Sequence, residues 1–238
     1  DRAIAESEIA YEETIGTIRE KGALINDPFT VERVARITGR LVSVAITKYP
    51  ASKNWKWSVA IIHDPKTVNA WCMAGGRMAV YSGLFNQLKL TDDEFAQIMG
   101  HEISHALANH TAERMSRAIA TSVTMEIVGR IAGVSGNSLS GAAQMANLAL
   151  ELPNSRESES EADVMGMILA TEAGFDPEAS LTLWEKMSAL SDTQPADFLN
   201  THPSPHNRQR TLNSMIPKMR QLNPQQSKAS IHRVTIVR

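Results

Sequence analysis

The sequence predicts an α+β domain that is mainly helical and contains one small β-sheet. Most of the 238 residues lie in segments whose apolar residues recur at helical spacing. A single region between them, residues 55–81, is instead rich in β-branched and apolar residues and is divided by turn signals. A chain of this length can bury a full hydrophobic core. We therefore expect one domain over residues 1–238.

Composition and charge exclude several functional classes. Lys and Arg (24) nearly balance Asp and Glu (26), which argues against a phosphate-binding surface, so we expect no nucleic-acid partner. The single Cys72 can form neither an internal disulfide nor a cysteine zinc site. The stretch nearest to a transmembrane segment, residues 131–150, is too polar for hydrocarbon. Because the chain begins at Asp1 and not at Met, we interpret its start as the product of leader removal.

The N-terminal part predicts two amphipathic helices. Isoleucines alternate with charged residues over residues 2–22, and Gly22 ends this helix. After a turn at Asn26-Asp27-Pro28, apolar residues recur on one face from Thr30 to Lys48. Pro50 breaks the second helix. The sheet region therefore follows a pair of helices.

Residues 55–81 predict three short strands, at 57–62, 68–73 and 78–81. The Gly75-Gly76 pair between the last two lacks the spacing of a nucleotide-binding loop, so we interpret it as a tight hairpin. Arg77, beside the hairpin, is expected to be a surface charge. A short helix is expected next, over Ser82–Leu88.

The segment from Thr91 to about Asn109 predicts a buried helix with a metal-binding motif. Its start fits a capping box, with Glu94 three residues after Thr91. His101 and His105 lie one turn apart on the same helix face, so both imidazoles can reach one zinc ion. Glu102 beside them can take a proton from the attacking water. The competing interpretation is a pair of core histidines that bind no metal.

A zinc site built on two histidines needs at least one more protein ligand. The acidic stretch 155–163 offers three candidates, Glu157, Glu159 and Glu161. Glu159 shares a helix face with Asp163, Gly166 and Ala170, and the two small residues would let this helix pack tightly on the metal helix. Asp163 could then accept a hydrogen bond from the outer nitrogen of a ligand histidine. We therefore favour Glu159 as the third ligand.

Other histidines fit a zinc site less well. The metzincin pattern requires His at position 111, where this chain has Thr111. His110 is out of phase with the helix face of His101 and His105. We assign ordinary surface or core roles to His63, His110, His206 and His232.

Three ordered motifs resemble a known family. They are His101-Glu-Ile-Ser-His105, then Ser155-Arg-x-x-Glu159-x-x-Ala-Asp163-x-x-Gly166, then Thr201-His202-Pro203 followed by Arg208. This order resembles the HtpX/BepA/LoiP-type zinc metallopeptidases, gluzincins that also include the CAAX prenyl proteases and the mitochondrial Oma-type protease. The resemblance covers roughly residues 30–220. Residues 68–84 look like the family's strand before the active helix, with Ala74 where relatives often carry proline.

The resemblance implies a zincin-type metallopeptidase domain whose small β-sheet lies beside the active-site helix. It implies one zinc ion per chain, bound by His101, His105 and Glu159. Glu102 would be the general base, and Asp163 would support a ligand histidine from behind.

The resemblance also implies a role for the segment after Thr201. His202 would lie over the active site, where it either occupies the open zinc position and holds the enzyme latent, or stabilises the oxyanion. Arg208 would lie near the cleft, where it orients that loop or binds substrate.

We expect the single metallopeptidase domain to divide into five parts. These are N-terminal helices (1–50), the sheet and zinc-binding helix (55–110), a helical insert (111–153), the third-ligand helix with the C-terminal helices (154–222) and a tail (223–238). The insert is either a packed helical hairpin or a cover over the site. The tail is either an added edge strand or disordered.

The sequence therefore predicts a zinc-dependent metalloendopeptidase. Its expected substrates are unfolded or misfolded proteins, held in extended form along an edge strand. Resemblance to envelope relatives implies protein quality control in the bacterial periplasm or at the envelope, with peripheral membrane association left open. The alternative is a zinc-stabilised chaperone or assembly factor with a blocked active site. A third, weaker interpretation is a helical protein without metal.

Overall fold

The computed structural model describes residues 2–118, 149–150, 152–192, 197–204 and 207–238. Its helices are α1 (Arg2–Glu20), α2 (Pro28–Lys48), α3 (Ser82–Leu88), α4 (Asp92–Leu107), α5 (Arg156–Glu172), α6 (Ala179–Ser191), α7 (Asp197–Thr201) and α8 (Arg208–Leu222). Its strands are β1 (Ser58–Ile62), β2 (Ala70–Met73), β3 (Arg77–Tyr81) and β4 (Thr235–Val237), and a 3-10 helix covers Pro50–Asn54. The predicted fold class, a mainly helical α+β domain with a small sheet, is confirmed.

The four strands form one mixed sheet in the order β2-β3-β1-β4. β3 pairs antiparallel with β2 and parallel with β1, and β4 adds parallel to β1. The β2–β3 connection is the predicted tight hairpin, with Gly75 and Gly76 at φ of 87° and 82°. Of the two alternatives for the tail, the added edge strand is the one observed. β2 forms the opposite edge, next to α4.

The sheet buries both of its faces. Residues such as Val59, Ile61 and Val80 belong to the main core with α2 and α4, whereas their neighbours Ala60 and Ile62 belong to a second core. The second core is completed by α1 and by the start of the segment after α4. This alternation follows from the two-residue period of a strand. The sheet therefore separates the metal helix from α1.

Arg77 is not the surface charge that the sequence predicted. Its side chain is only 13% exposed and pairs with Glu8 of α1 at 2.8 Å. Its Nη1 donates to Ser58 Oγ at 3.0 Å, and its guanidinium lies over the ring of Tyr11. The prediction was wrong because α1 lies across the hairpin and turns acidic residues toward it. Arg77 thus fixes α1 to the sheet.

The metal helix α4 begins as predicted and ends earlier. The Thr91 hydroxyl accepts from the Glu94 N–H at 3.2 Å, and the Glu94 carboxylate accepts from the Thr91 N–H at 2.9 Å, a complete capping box. The helix ends at Leu107, and Asn109 takes a left-handed φ of 64°. Residues 110–118 are helical again. The chain therefore changes direction directly after the His-Glu-x-x-His motif.

Close packing of α4 against α5 depends on two glycines. A Cβ on Gly166 would lie 2.7 Å from the backbone nitrogen of His101, and one on Gly100 would lie 2.8 Å from the carbonyl oxygen of Gly166. Real Cβ atoms do not approach backbone atoms so closely, so only glycine permits this approach. The tight helix pair predicted from Gly166 is confirmed.

Several predictions concern residues outside the described part of the chain. Most of the helical insert 111–153 and His206 lie there, and the five-part division of the domain stays a prediction. Among the described helices, none is both long and apolar enough to cross a membrane.

Candidate metal centre

Four buried side chains from three parts of the fold converge on one point. His101 and His105 come from α4, Glu159 from the first turn of α5, and His202 follows α7. Each offers one nitrogen or oxygen, and these four atoms all lie within 4.8 Å of one another. All four sequence-predicted residues are therefore brought together, His202 included.

The separations of these atoms are close to those of a tetrahedral zinc site and slightly shorter. His101 Nε2 lies 3.0 Å from His105 Nε2 and 3.4 Å from Glu159 Oε2. His202 Nδ1 lies 3.2 Å from His101 Nε2 and 3.0 Å from Glu159 Oε1. Ligands placed about 2.0–2.2 Å from a tetrahedral zinc ion are about 3.3–3.6 Å apart. Two imidazoles and a carboxylate, joined by a third imidazole, are a ligand set that suits zinc.

Asp163 and Arg208 lie directly behind the ligands. His101 Nδ1 lies 3.1 Å from Asp163 Oδ1, within reach of the hydrogen bond predicted for this carboxylate. Arg208 donates through Nε to Asp163 and through Nη2 to Glu159, both at 2.6 Å. Its guanidinium also lies 3.8 Å from the centre of the Trp184 ring. Arg208 therefore ties the predicted third ligand to the carboxylate that supports the first.

Asn154 belongs to the site although the sequence analysis did not single it out. Its Nδ2 donates to Glu159 Oε1 at 2.7 Å, and its backbone N–H donates to the Thr201 carbonyl at 3.0 Å. It therefore joins the start of α5 to the residue that precedes His202. Its position directly before the helix cap Ser155 is the one sequence signal that marks it.

His110 also contacts the site, contrary to the prediction of an ordinary role. Its Nδ1 lies 3.0 Å from His105 Nδ1, and its Nε2 lies 3.1 Å from Glu161 Oε2. On an unbroken helix it would point away from His105, but the left-handed residue Asn109 turns it back. His63 and His232 are exposed, as predicted.

Glu102 is placed to handle protons at the centre. Its side chain is buried, and its Oε1 has no hydrogen-bond partner among the described residues while lying 3.4 Å from His202 Nε2. Burial raises the pKa of this carboxyl, and the nearby His202 and His101 partly oppose the rise. A carboxylate of raised pKa is suited to take and return a proton near neutral pH.

Burial and neighbouring charges shift the pKa values of the candidate ligands in opposite directions. Burial lowers the pKa of His105 well below its usual value, so its Nε2 lone pair is available. Burial would raise the pKa of Glu159, but the contacting histidines, His101 first, hold it far below the usual range. Burial would lower the pKa of His101, yet Glu159 and Asp163 raise it to about 10. The carboxylates therefore favour a cation beside His101, which a metal ion would provide.

The fold and the site together define a class: a zincin-like metallopeptidase domain, with a His-Glu-x-x-His helix packed against a helix that supplies a glutamate. Comparison with known proteins gives the family. The chain belongs to peptidase family M48, whose family model matches residues 28–216. The resemblance drawn from the three motifs is thereby confirmed.

Named relatives include proteins of bacteria and mitochondria. The chain is 32% identical to the mitochondrial metalloendopeptidase OMA1 of Schizosaccharomyces pombe over 88% of its own length and 59% of the relative's. It is 30% identical to the β-barrel assembly-enhancing protease of Escherichia coli, over 88% of its own length and 44% of the relative's. It is 33% identical to the metalloprotease LoiP of Escherichia coli, over 60% of its own length and 56% of the relative's. The chain thus spans less than two thirds of the length of these relatives.

Proposed function

We propose that this chain is a zinc metalloendopeptidase that hydrolyses peptide bonds within protein substrates. The observation that carries the proposal is the convergence of His101, His105, Glu159 and His202 next to the buried carboxylate of Glu102. Membership of peptidase family M48 supports it.

His101, His105 and Glu159 would hold one zinc ion, and Asp163 and Arg208 would keep these ligands in place. When bound, zinc supplies Lewis-acid polarisation of the attacking water and of the scissile carbonyl. Glu102 takes the proton from that water and passes it to the amine that leaves. The raised pKa of Glu102 suits both halves of this transfer.

The substrate would bind as an extended strand along β2. This strand forms one edge of the sheet and lies against α4, so a peptide added there would run past the metal centre. The Phe198 N–H already donates to the Val68 carbonyl, just before β2, at 3.0 Å. The segment that ends in His202 therefore borders the substrate path.

His202 supports a latent resting state of the same enzyme. Its Nδ1 takes the fourth position around the centre, its ring stacks on Phe198 at 4.2 Å, and the preceding Thr201 is held by Asn154. In this state a substrate carbonyl would have to displace His202. The alternative role of this imidazole is to stabilise the oxyanion during turnover.

The substrates we propose are unfolded or misfolded proteins of the bacterial envelope. The support is the likeness to two Escherichia coli proteases, one of them named for enhancing β-barrel assembly. The same likeness supports a periplasmic or envelope location, and peripheral contact with a membrane is compatible with it. A blocked site would instead make the chain a zinc-stabilised chaperone or assembly factor.

Glu102→Gln tests the proposed activity. The change removes the base but keeps the size and burial of the side chain, so zinc content should stay at the wild-type level. Cleavage of an unfolded protein such as reduced casein should fall by about 10²–10⁴-fold. Zinc is measured by atomic absorption and cleavage by fluorescence of a labelled substrate.

A control variant and two possible results for the wild type complete this test of the proposed activity. Glu157→Gln, an exposed glutamate of the same helix as Glu159, should leave both readouts unchanged. Wild-type protein that suppresses aggregation but cleaves nothing would favour the chaperone interpretation. Wild-type protein that binds no zinc after reconstitution would exclude both the zinc peptidase and the zinc-stabilised chaperone. Only the interpretation as a helical protein without metal would then be left.

A further inference from the structure

The two ligand histidines of α4 are supported from behind by different groups. Both turn Nε2 toward the metal centre, where the two nitrogens are 3.0 Å apart. Behind His101, Nδ1 meets the carboxylate of Asp163 at 3.1 Å. Behind His105, Nδ1 meets a second imidazole, that of His110, at 3.0 Å. The support of His105 is therefore indirect and needs its own explanation.

His110 continues the line of contacts toward the surface. Its other nitrogen, Nε2, lies 3.1 Å from Glu161 Oε2. His110 is buried with its side chain 6% exposed, whereas the Glu161 side chain is 58% exposed. A chain of two contacts thus leads from a surface carboxylate to a fully buried candidate ligand.

One arrangement of protons satisfies both contacts when Nε2 of His105 is the ligand atom. A ligand nitrogen carries no proton, so neutral His105 carries its proton on Nδ1 and donates it to Nδ1 of His110. His110 then carries its own proton on Nε2 and donates it to the Glu161 carboxylate. Every donor in the chain meets an acceptor, and the tautomer of His105 is fixed.

We propose that His110 and Glu161 form a positioning relay for His105. The relay holds the His105 ring in the orientation and tautomer that present Nε2 to the zinc ion. Acceptors behind a ligand histidine also raise its basicity and the metal affinity of the site. The inference rests on the proposed function, since it requires that His105 binds the metal.

The backbone is built to bring these residues together. Asn109 adopts a left-handed φ of 64°, which asparagine tolerates better than most residues. The helix restarts at residue 110, with the Glu113 N–H bonded to the Asn109 carbonyl at 3.0 Å. This change of direction turns His110 back against His105.

The relay is tested by zinc affinity, measured on the full chain by competition with a chromogenic chelator. Glu161→Gln removes the terminal acceptor charge without touching the buried part. His110→Asn keeps a carbonyl oxygen close to the place of Nδ1 but cuts the link to Glu161. We expect each variant to weaken zinc binding by roughly tenfold, the lower end of the range for groups behind metal ligands.

A double-mutant cycle separates a relay from a simple structural role. Once His110→Asn has cut the link, adding Glu161→Gln should cause no further loss of affinity. Glu157→Gln is the matched control because Glu157 is an exposed glutamate one turn earlier on the same helix, and it should bind zinc as the wild type does. Cobalt(II) loaded in place of zinc should show altered visible absorption bands in the two relay variants only.

The results of these experiments either support the relay or overturn it. The relay is overturned if Glu161→Gln binds zinc as tightly as Glu157→Gln does, or if the two losses add in full in the double variant. Equal thermal unfolding of metal-free wild type and metal-free Glu161→Gln excludes a general loss of stability as the cause. If the wild type itself binds no zinc, the proposed function fails; if it binds zinc and cleaves while Glu161→Gln is unchanged, only the relay fails.

Discussion

Glu159 is the residue on which the buried charges of this protein converge. Its fully buried carboxylate accepts from Arg208 at 2.6 Å and from Asn154 at 2.7 Å while it lies against His101, His105 and His202. An unpaired carboxylate at such depth would cost several kcal/mol. Its partners compensate that cost and fix both oxygens. The proposed third ligand is therefore held in place by Arg208 and Asn154 as well as by any metal.

His202→Ala tests whether the imidazole holds the enzyme latent. His101, His105 and Glu159 still supply three ligands in the variant, so zinc should remain bound. Because the fourth position is opened, cleavage of an unfolded substrate should rise and the cobalt(II) absorption bands should change. Initial rates and the spectrum are both measured. A fall in kcat of about 10²–10³-fold would assign His202 to the oxyanion instead, and an unchanged rate with an unchanged spectrum would remove both roles.

At the scale of single elements, the N-terminus of α4 combines a cap with an ion pair between buried Glu94 and the half-buried Lys186. Glu94 accepts from the Thr91 N–H, from the Thr182 hydroxyl at 2.8 Å and from Lys186 Nζ at 2.7 Å. Burial would raise the pKa of Glu94, but these donors outweigh it and hold the pKa below its usual value. The start of the metal helix is thus stabilised by an ionised glutamate.

Glu94→Gln should make the stability of the protein less dependent on acid pH. A carboxyl whose pKa is lowered by folding stabilises the native state above its unfolded pKa, about 4.3, and that contribution is lost as the pH falls through the folded pKa. The variant should lose about 1.5–3 kcal/mol at pH 7. The difference from wild type should shrink steadily below about pH 4. Urea unfolding at several pH values measures it; a constant difference would contradict the assignment.

The α4–α5 contact predicts the effect of a single methyl group. Gly166→Ala places a Cβ 2.7 Å from the backbone nitrogen of His101, so the two helices must separate. We expect a loss of about 1–3 kcal/mol in the free energy of unfolding, together with weaker zinc binding, because Glu159 and His101 move apart.

Gly16→Ala is the matched control for this change. It lies inside α1, and an added Cβ would meet nothing within 4 Å. Alanine there should stabilise the helix by about 0.5–1 kcal/mol and leave zinc binding unchanged. Chemical unfolding and chelator competition give both quantities. Equal behaviour of the two variants would show that the close approach at Gly166 has no energetic consequence.

At the scale of the whole molecule, the metal centre joins elements that are distant in the sequence. Its candidate ligands come from α4, α5 and the segment after α7, and Arg208 adds α8. A metal ion that binds only the folded chain stabilises it by mass action. The centre should therefore act as a stabilising cross-link of the fold.

Removal of zinc should lower the melting temperature, and zinc should restore it. The expected loss at a hundredfold excess of free zinc over its Kd is about 2.7 kcal/mol. Calorimetry with and without EDTA measures the shift. Glu159→Ala provides the control, since its melting temperature should no longer respond to EDTA. A wild-type melting temperature that ignores EDTA would contradict a metal that binds across these elements.

The sequence by itself determined the parts of this protein that depend on local spacing. His101 and His105 lie one turn apart, and Glu159 shares a helix face with the small residues Gly166 and Ala170. Both relations are properties of a helix and hold wherever that helix lies. The capping box at Thr91 and the hairpin at Gly75-Gly76 are likewise local. These predictions therefore agree with the structure.

The tertiary structure alone decided which distant residues meet, because such contacts depend on chain direction and on packing between elements. Asn109 breaks the helix phase and turns His110 onto His105, a change that periodicity does not reveal. Arg77 became a half-buried anchor only because α1 crosses the hairpin. Asn154 gained its role from its contact with Thr201, the last residue of α7. Local spacing thus set the candidate ligands, and the fold set their surroundings.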